Sequence, residues 1–328
     1  MGRPSLWVPP SAPFVRSDVR VGQDVLDRAV RSGVIVRLFR GVYLPADQVP
    51  SDALRRHLVL AAGYQRLHPD LVASHETAAL AHDLPLLDTY AAAEGPPRFT
   101  APPAAGRRSS QHPRVRLGQL PRHQVEFGGD DVFDLLLTSP ARTAVDLAAD
   151  GSFAEGLMAV DAAARRVAIG LDVDLRPPDG RLDARVREAC LEPLRDAARV
   201  RTRRLARDRV EAALVAADPR RESPLESIGG GYLHRADIPP PTPQVLIVTE
   251  EGDFYGDLGW PEFGLIIEFD GLGKYQTAQD VRAEKFREQS LRRAGWRVER
   301  FLWHDVVDDP AGFVEVVRRL LREQGWRG

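Results

Sequence analysis

Residues 257 to 274, DLGWPEFGLIIEFDGLGK, set three carboxylates at strand ends and an amine after them: Asp257, Glu268, Asp270 and Lys274. Acids at two strand ends, followed by an ammonium, are the ingredients of a site that holds Mg²⁺ or Mn²⁺ and hydrolyses a phosphodiester. Asp257, Glu268 and Asp270 are then the candidate metal ligands and Lys274 the cationic helper. Side chains alternate along a strand, so Glu268 and Asp270 share one face while Phe269 points to the other. Gly264 to Ile267 is a short apolar run of the kind buried inside a sheet, and charges emerging from such a run need a partner or a metal. Spacing alone leaves two readings open, a metal-holding set or ordinary solvated acids at a strand end.

From Glu222 onward the pattern predicts helix, strand, hairpin, strand, helix, strand, helix. Ser223 is a good N-cap with Pro224 at the first helical position, and Glu226 falls in the first turn. Gly229, Gly230 and Gly231 follow, each costing about 1 kcal/mol of helix stability relative to alanine, so this helix is expected to be short or bent and Glu226 loosely placed. Gln244 to Thr249 reads as a strand, Glu251-Gly252-Asp253 as its turn, and Phe254 to Leu258 as the return carrying Asp257. Thr277 to Asp280 is a capping-box signature for a helix running to Gly295, with Lys285 and Arg287 expected on its solvated face beside Glu284 and Glu288. WRVERF is the fourth strand and Pro310 to Leu321 a closing amphipathic helix.

The N-terminal end offers different chemistry. Ser17 to Gly33 has a helical pattern, and VIVRLFRGVYL reads as a two-stranded ribbon turning at Gly41. A helix followed by a basic ribbon suggests a winged helix, with Arg37 and Arg40 as candidate DNA contacts; a small cap domain with solvated arginines is the alternative. Residues 51 to 92 are helical. Ser74, His75 and Glu76 are sequence neighbours that cannot face one another on a helix, and His75 and His82 lack a third ligand. Residues 94 to 114 form a Pro- and Gly-rich loop, and a helix opens near Ser139 and Pro140. Residues 153 to 216 are helical and Arg-rich, with seven arginines from Arg195 to Arg209 that form either a phosphate-tracking stripe or a solvated face.

At 328 residues the chain is long enough for two or three domains, and 43% hydrophobic with 28% charged content is that of a globular protein. No apolar run approaches the length of about 18 residues needed to span a membrane, and MGRPSLWVPPSAP lacks the apolar core of a signal peptide, so a cytoplasmic protein without membrane association is expected. Cys190 is the single cysteine, which excludes intrachain disulfides and thiolate zinc clusters. The net charge of −2 hides an uneven distribution: residues 1 to 50 carry seven Arg against four Asp, and residues 222 to 328 carry 13 basic against 19 acidic groups. An acidic C-terminal part favours metal ions over phosphates. Only two of the 45 basic residues are lysines, Lys274 and Lys285, both in the C-terminal third.

RLFRGVYLP, ASHETAALAHDLP and LTSPARTAVDLA, in that order, resemble the N-terminal module of the abortive-infection (AbiEi-type) antitoxin family over roughly the first 150 residues. That resemblance implies a DNA-binding winged helix joined to a mixed α/β domain, in a family that represses its own promoter. SPLES, GDLGWPEFGLIIEFDGLGKY and EKFREQSLRRAGWRVERFLWHD resemble the very-short-patch-repair-like branch of the PD-(D/E)XK nucleases over about a hundred residues. By this resemblance Asp257 is the motif aspartate, Glu268 opens the E-x-K triplet and Glu226 is the helix acid. Asp270 departs from the pattern by occupying the lysine slot, with Lys274 four residues beyond it.

The expected fold is a multidomain α+β and α/β chain. It comprises a winged helix over 1–50, an α/β middle domain over 51–150, a helical connector over 151–221 and a restriction-endonuclease-like domain with a mixed sheet over 222–328. The expected function is Mg²⁺- or Mn²⁺-dependent DNA cleavage in repair or defence against foreign DNA. The alternative is a transcriptional regulator or antitoxin whose nuclease fold is inactive. DNA is the expected partner, with a cognate toxin or a second copy of the chain as further candidates.

Overall fold

The computed structural model describes residues 7–103, 110–111, 113–129, 134–177, 181–200, 204–270 and 278–328. The chain is mixed α/β and divides into two compact units, Met1–Leu147 and Ala148–Gly328. No helix among the described residues is long and apolar enough to cross a membrane.

The first unit opens with β1 (Phe14–Val15), α1 (Gln23–Arg31), β2 (Ile35–Phe39) and β3 (Val42–Pro45). The three strands form an antiparallel sheet in the order β1-β3-β2, and Phe14, Leu26, Ile35 and Tyr43 make its core. Gly41 takes a φ of +89° in the turn between β2 and β3, the left-handed conformation that glycine adopts without penalty. There follow α2 (Ala53–Leu67), β4 (Val72–Ala73), α3 (His75–His82), α4 (Thr89–Glu94), β5 (Arg98–Ala101), β6 (Ser110–Gln111), β7 (Arg114–Leu117), β8 (Val125–Gly129), β9 (Asp134–Thr138) and α5 (Pro140–Asp150). Their strands form a mixed six-stranded sheet in the order β6-β7-β5-β4-β9-β8.

One buried imidazole ties three of these helices together. His57 of α2 places Nδ1 3.1 Å from the Ala93 carbonyl of α4 and Nε2 2.8 Å from the Thr77 hydroxyl of α3. A carbonyl can only accept, so Nδ1 carries the proton; the Thr77 oxygen accepts the Arg98 N–H at 2.8 Å and gives its own proton to Nε2. Both ring nitrogens are thus satisfied by the neutral tautomer. His75 and His82 have separate partners, the Ser74 hydroxyl at 2.9 Å and the Thr138 carbonyl at 2.7 Å.

The second unit contains α6 (Phe153–Gly170), α7 (Ala184–Arg199), α8 (Arg204–Ala216), α9 (Pro224–Arg235), β10 (Thr242–Thr249), β11 (Gly252–Trp260), β12 (Leu265–Phe269), α10 (Ala278–Arg293), β13 (Arg297–Phe301), α11 (Trp303–Val307) and α12 (Pro310–Glu323). The sheet order is β10-β11-β12-β13, antiparallel across the first three strands and parallel between β12 and β13, which α10 connects. Val245, Ile247 and Ile266 pack with Leu291 of α10. Phe269 and Phe301 pack with Phe313 of α12, at ring separations of 6.1 Å and 4.8 Å. Cys190 is buried on α7, and burial pushes its thiol above the ordinary range.

The glycine triplet does not shorten α9, which runs unbroken through Gly229, Gly230 and Gly231, all of them buried. These positions exist for close approach rather than for bending. A Cβ on Gly229 would lie 2.5 Å from Phe269 Cζ, one on Gly230 2.6 Å from Arg221 Nε, and one on Gly231 2.5 Å from Leu157 Cδ2. Arg221 in turn forms a buried ion pair with Asp161 of α6 at 2.8 Å. Packing against three neighbours therefore outweighs the propensity loss.

Two outcomes are expected. Gly229→Ala raises helix propensity, yet it is expected to destabilise the protein by about 1–3 kcal/mol in urea unfolding, because Phe269 must shift. Burial holds the His57 ring below its ordinary value of 6.5. Its neutral form is favoured by the fold, so its contribution to stability is complete above about pH 6.5 and declines as pH falls below that. His57→Gln should flatten this part of the stability profile, measured as unfolding midpoint against pH.

Candidate active site

Glu226 is fixed by its place in the first turn of α9. The Ser223 hydroxyl caps the helix by accepting the Glu226 N–H at 3.2 Å, and the Glu226 carboxylate turns back to accept the Glu222 N–H at 2.9 Å. Its Oε2 also accepts the Gln244 amide N–H at 3.0 Å, and the residue is only 4% exposed. The loosely held acid expected from the glycine triplet is instead locked at three points.

Asp257 and Glu268 stand where the sheet opens. Leu258 pairs with Ile267, and the ladder between β11 and β12 ends there, so Asp257 and Glu268 are the next opposed positions beyond its end. Successive N–H groups of a strand point to opposite neighbours. The Asp270 N–H goes to Phe301 O of β13 at 3.0 Å, so the Phe269 N–H faces β11, where Asp257 Oδ2 accepts it at 2.8 Å. A side chain thus replaces the ladder bond at the point where the strands part.

Glu268, 6% exposed, is bracketed by two arginines. Parallel register sets it opposite Arg300 of β13, whose Nε lies 3.5 Å from Glu268 Oε2 and 3.8 Å from Asp270 Oδ2. Arg287 of α10 approaches Glu268 Oε1 to 2.5 Å and donates to Tyr255 O at 2.8 Å. The expectation of a solvated helix face for Arg287 is therefore corrected. It stands one helical turn before Leu291, which is wholly buried, and so belongs to the sheet-facing stripe of α10. That four-residue spacing from a leucine was the signal available in the sequence. Lys285 is exposed, and Lys274 lies outside the described residues.

A third cation reaches the cluster from the segment after α6. Arg176 Nη2 bonds Glu222 Oε2 at 2.7 Å and Gln244 Oε1 at 3.1 Å, and its guanidinium lies 4.9 Å from the Tyr255 ring centre. Nothing in the local sequence LRPPDG pointed to this role. Among the described arginines of the run from 195 to 209, three are neutralised on the surface: Arg195 pairs with Glu188 at 2.7 Å, Arg199 with Glu192 at 3.0 Å, and Arg204 approaches Asp208 at 3.9 Å. In the first unit Arg37 lies 3.7 Å from Asp27 and over the Tyr43 ring, while Arg40 is exposed at the β2–β3 turn.

Burial pushes the Glu226 carboxyl up to about 7, and the charge of Asp257 adds to the rise. Two acids from different elements therefore compete for negative charge in a water-poor corner, a situation that a proton or a cation relieves. The donors are hard carboxylate oxygens, which suit Mg²⁺ or Mn²⁺, and Mg²⁺ commonly takes only one or two protein carboxylates beside waters and substrate phosphates. Asp257 with Glu226 or Glu268 meets that need, although among the described residues no three such groups already converge as a ligand cluster. Compared with protein-family models and with curated protein sequences, the chain matches none.

The sign of one pH effect follows. Glu226 binds its proton more tightly folded, at about 7, than at its ordinary 4.5, so its contribution to stability is complete below about pH 4.5 and is lost as pH rises through 7. Glu226→Gln should be more stable than the parent at pH 8 by on the order of 2–3 kcal/mol and nearly equal to it at pH 4.5. Urea unfolding at the two pH values measures the difference.

Proposed function

We propose that the C-terminal region, residues 222–328, is a PD-(D/E)XK nuclease-like domain that hydrolyses DNA phosphodiesters with Mg²⁺ or Mn²⁺. Residues 1–50 act as a winged helix that holds the DNA through Arg37 and Arg40. The observation that carries this reading is the meeting of Glu226 from α9 with Asp257 at the open end of the β11–β12 ladder, beside Glu268 and Asp270. The order α9-β10-β11-β12-α10-β13 supports it, because it repeats the element order that the sequence pattern predicts and on which the resemblance draws.

In this reading Asp257, Glu268 and Asp270 would hold the cation. When bound, a divalent ion neutralises the scissile phosphate and makes water a stronger nucleophile, worth several kcal/mol at the transition state. The chain's own groups do the rest. Glu226 holds or releases a proton near neutral pH beside Asp257, and Lys274 is the cationic helper standing in for the lysine that Asp270 displaces. Arg287 and Arg300 orient Glu268 and would offer their guanidinium groups to a phosphate brought beside a bound cation.

A second reading, a DNA-binding regulator or antitoxin with a silent nuclease fold, is favoured by those same arginines, which already satisfy the charge of Glu268. One experiment separates the two. Purified protein is incubated with supercoiled plasmid and Mg²⁺ or Mn²⁺, beside Asp257→Ala and Glu268→Ala. Cleavage by the parent that falls at least a hundredfold in both variants supports the nuclease. Equal activity in all three, or none in any while DNA binding depends on salt and on Arg37 and Arg40, supports the regulator.

A further inference from the structure

Gln244 is the only residue other than glycine that takes a positive φ inside a strand among the described residues, at +48° in β10. It is buried, and the β10–β11 ladder passes from Pro243↔Leu258 to Val245↔Gly256 without pairing Gln244 to Asp257. Left-handed backbone is unfavourable for a side chain of this kind, and strain of this sort persists only where the surroundings hold it in place. The side chain shows what holds it. Gln244 Oε1 accepts from Arg176 at 3.1 Å, and Gln244 Nε2 donates to Glu226 at 3.0 Å. An arginine offers only donors and the Glu226 oxygen accepts, so the amide can sit one way round only.

Arg176 is itself fixed from two further sides, by Glu222 and by the face of Tyr255. Glu222 also receives Arg165 of α6 at 2.9 Å. The segment that follows α6 is therefore tied to Glu226 by the Gln244 amide and, beside it, by Glu222, whose N–H also donates to Glu226. Charged groups around Glu226 are Asp257 from β11, Glu222 just before α9, Arg165 and Arg176 beyond it, and the Arg221–Asp161 pair on the α6 side.

We propose that Arg176 and Gln244 form a relay that positions the Glu226 carboxylate, which makes Arg176 a remote positioning residue of the acidic site. The proposal rests on the site reading given above, but its first readout does not require cleavage. In the full chain labelled with ¹⁵N at glutamine side chains, the Gln244 amide is assigned as the signal missing from Gln244→Met. Its hydrogens should exchange at least tenfold more slowly than those of exposed glutamines, and equally slowly in Arg176→Lys, whose ammonium can still donate to Oε1. In Arg176→Met that protection should be lost without loss of the cooperative unfolding transition. The second readout is Mn²⁺ affinity by electron paramagnetic resonance, expected to weaken about tenfold in Gln244→Met and in Arg176→Met and to recover in Arg176→Lys.

Unchanged Gln244 protection in Arg176→Met overturns the relay. Should Arg176→Met fail to fold, an Arg176→Lys that exchanges its Gln244 amide as fast as an exposed glutamine overturns it equally. Protection that follows the relay in a protein that binds no Mn²⁺ and cuts no DNA supports the relay and sinks the nuclease reading instead.

Discussion

The acidic site depends first on how closely one helix can lie on its neighbours. Three consecutive glycines bring the α9 backbone against Phe269, Arg221 and Leu157, at positions where even a methyl group would collide. That approach sets the first turn of α9, and with it Glu226, beside β10 and β11. Helix propensity and packing pull in opposite directions here. The propensity loss is about 1 kcal/mol per glycine, whereas a gap between helix and sheet would forfeit dispersion contacts along the whole interface. Packing prevails, and Glu226 is buried as its consequence.

Burying acids, wholly at Glu226 and Glu268 and partly at Asp257 and Asp270, imposes a second requirement, that each find a partner. The four acids meet it differently. Glu226 takes backbone and amide donors, Asp257 takes the N–H of Phe269, Glu268 takes Arg287 of α10, and Arg300 of β13 lies between Glu268 and Asp270. Replacing a ladder bond by a carboxylate lets β11 and β12 separate without leaving the Phe269 N–H unsatisfied. The same device that solves this folding problem ends the β11–β12 ladder beside Glu268.

Much of this was legible in the residues. Ser223 and Pro224 announced the start of α9, the alternation around Glu268 its strand, and the run 251–253 a hairpin carrying Asp257, although its turn lies at Glu250-Glu251, because Gly252 and Asp253 already pair with Thr249 and Val248. These are local signals, set by capping and by the two-residue repeat of a strand. The contributions of Arg176, Gln244 and Arg287 were not seen, because each depends on which element lies across from it. The glycines misled for a related reason: alone they weaken a helix, and only the neighbours packed against them, Phe269 on Gly229, Arg221 on Gly230 and Leu157 on Gly231, explain them. Arg287 was the closest to being found, since its spacing from Leu291 already marked the inner stripe of α10.

The left-handed backbone at Gln244 has a consequence for how this chain can drift. Glycine at that position would relax the strand by about 1 kcal/mol and is a two-step change away from glutamine in the codon table, yet it would remove the side chain that bonds both Arg176 and Glu226 directly. Selection for a more stable sheet and selection for an ordered acidic corner therefore oppose each other at one residue. Lineages that keep the corner in use should retain an amide there, and those that abandon it should slide towards glycine, so position 244 would serve as a record of whether the site is still under selection.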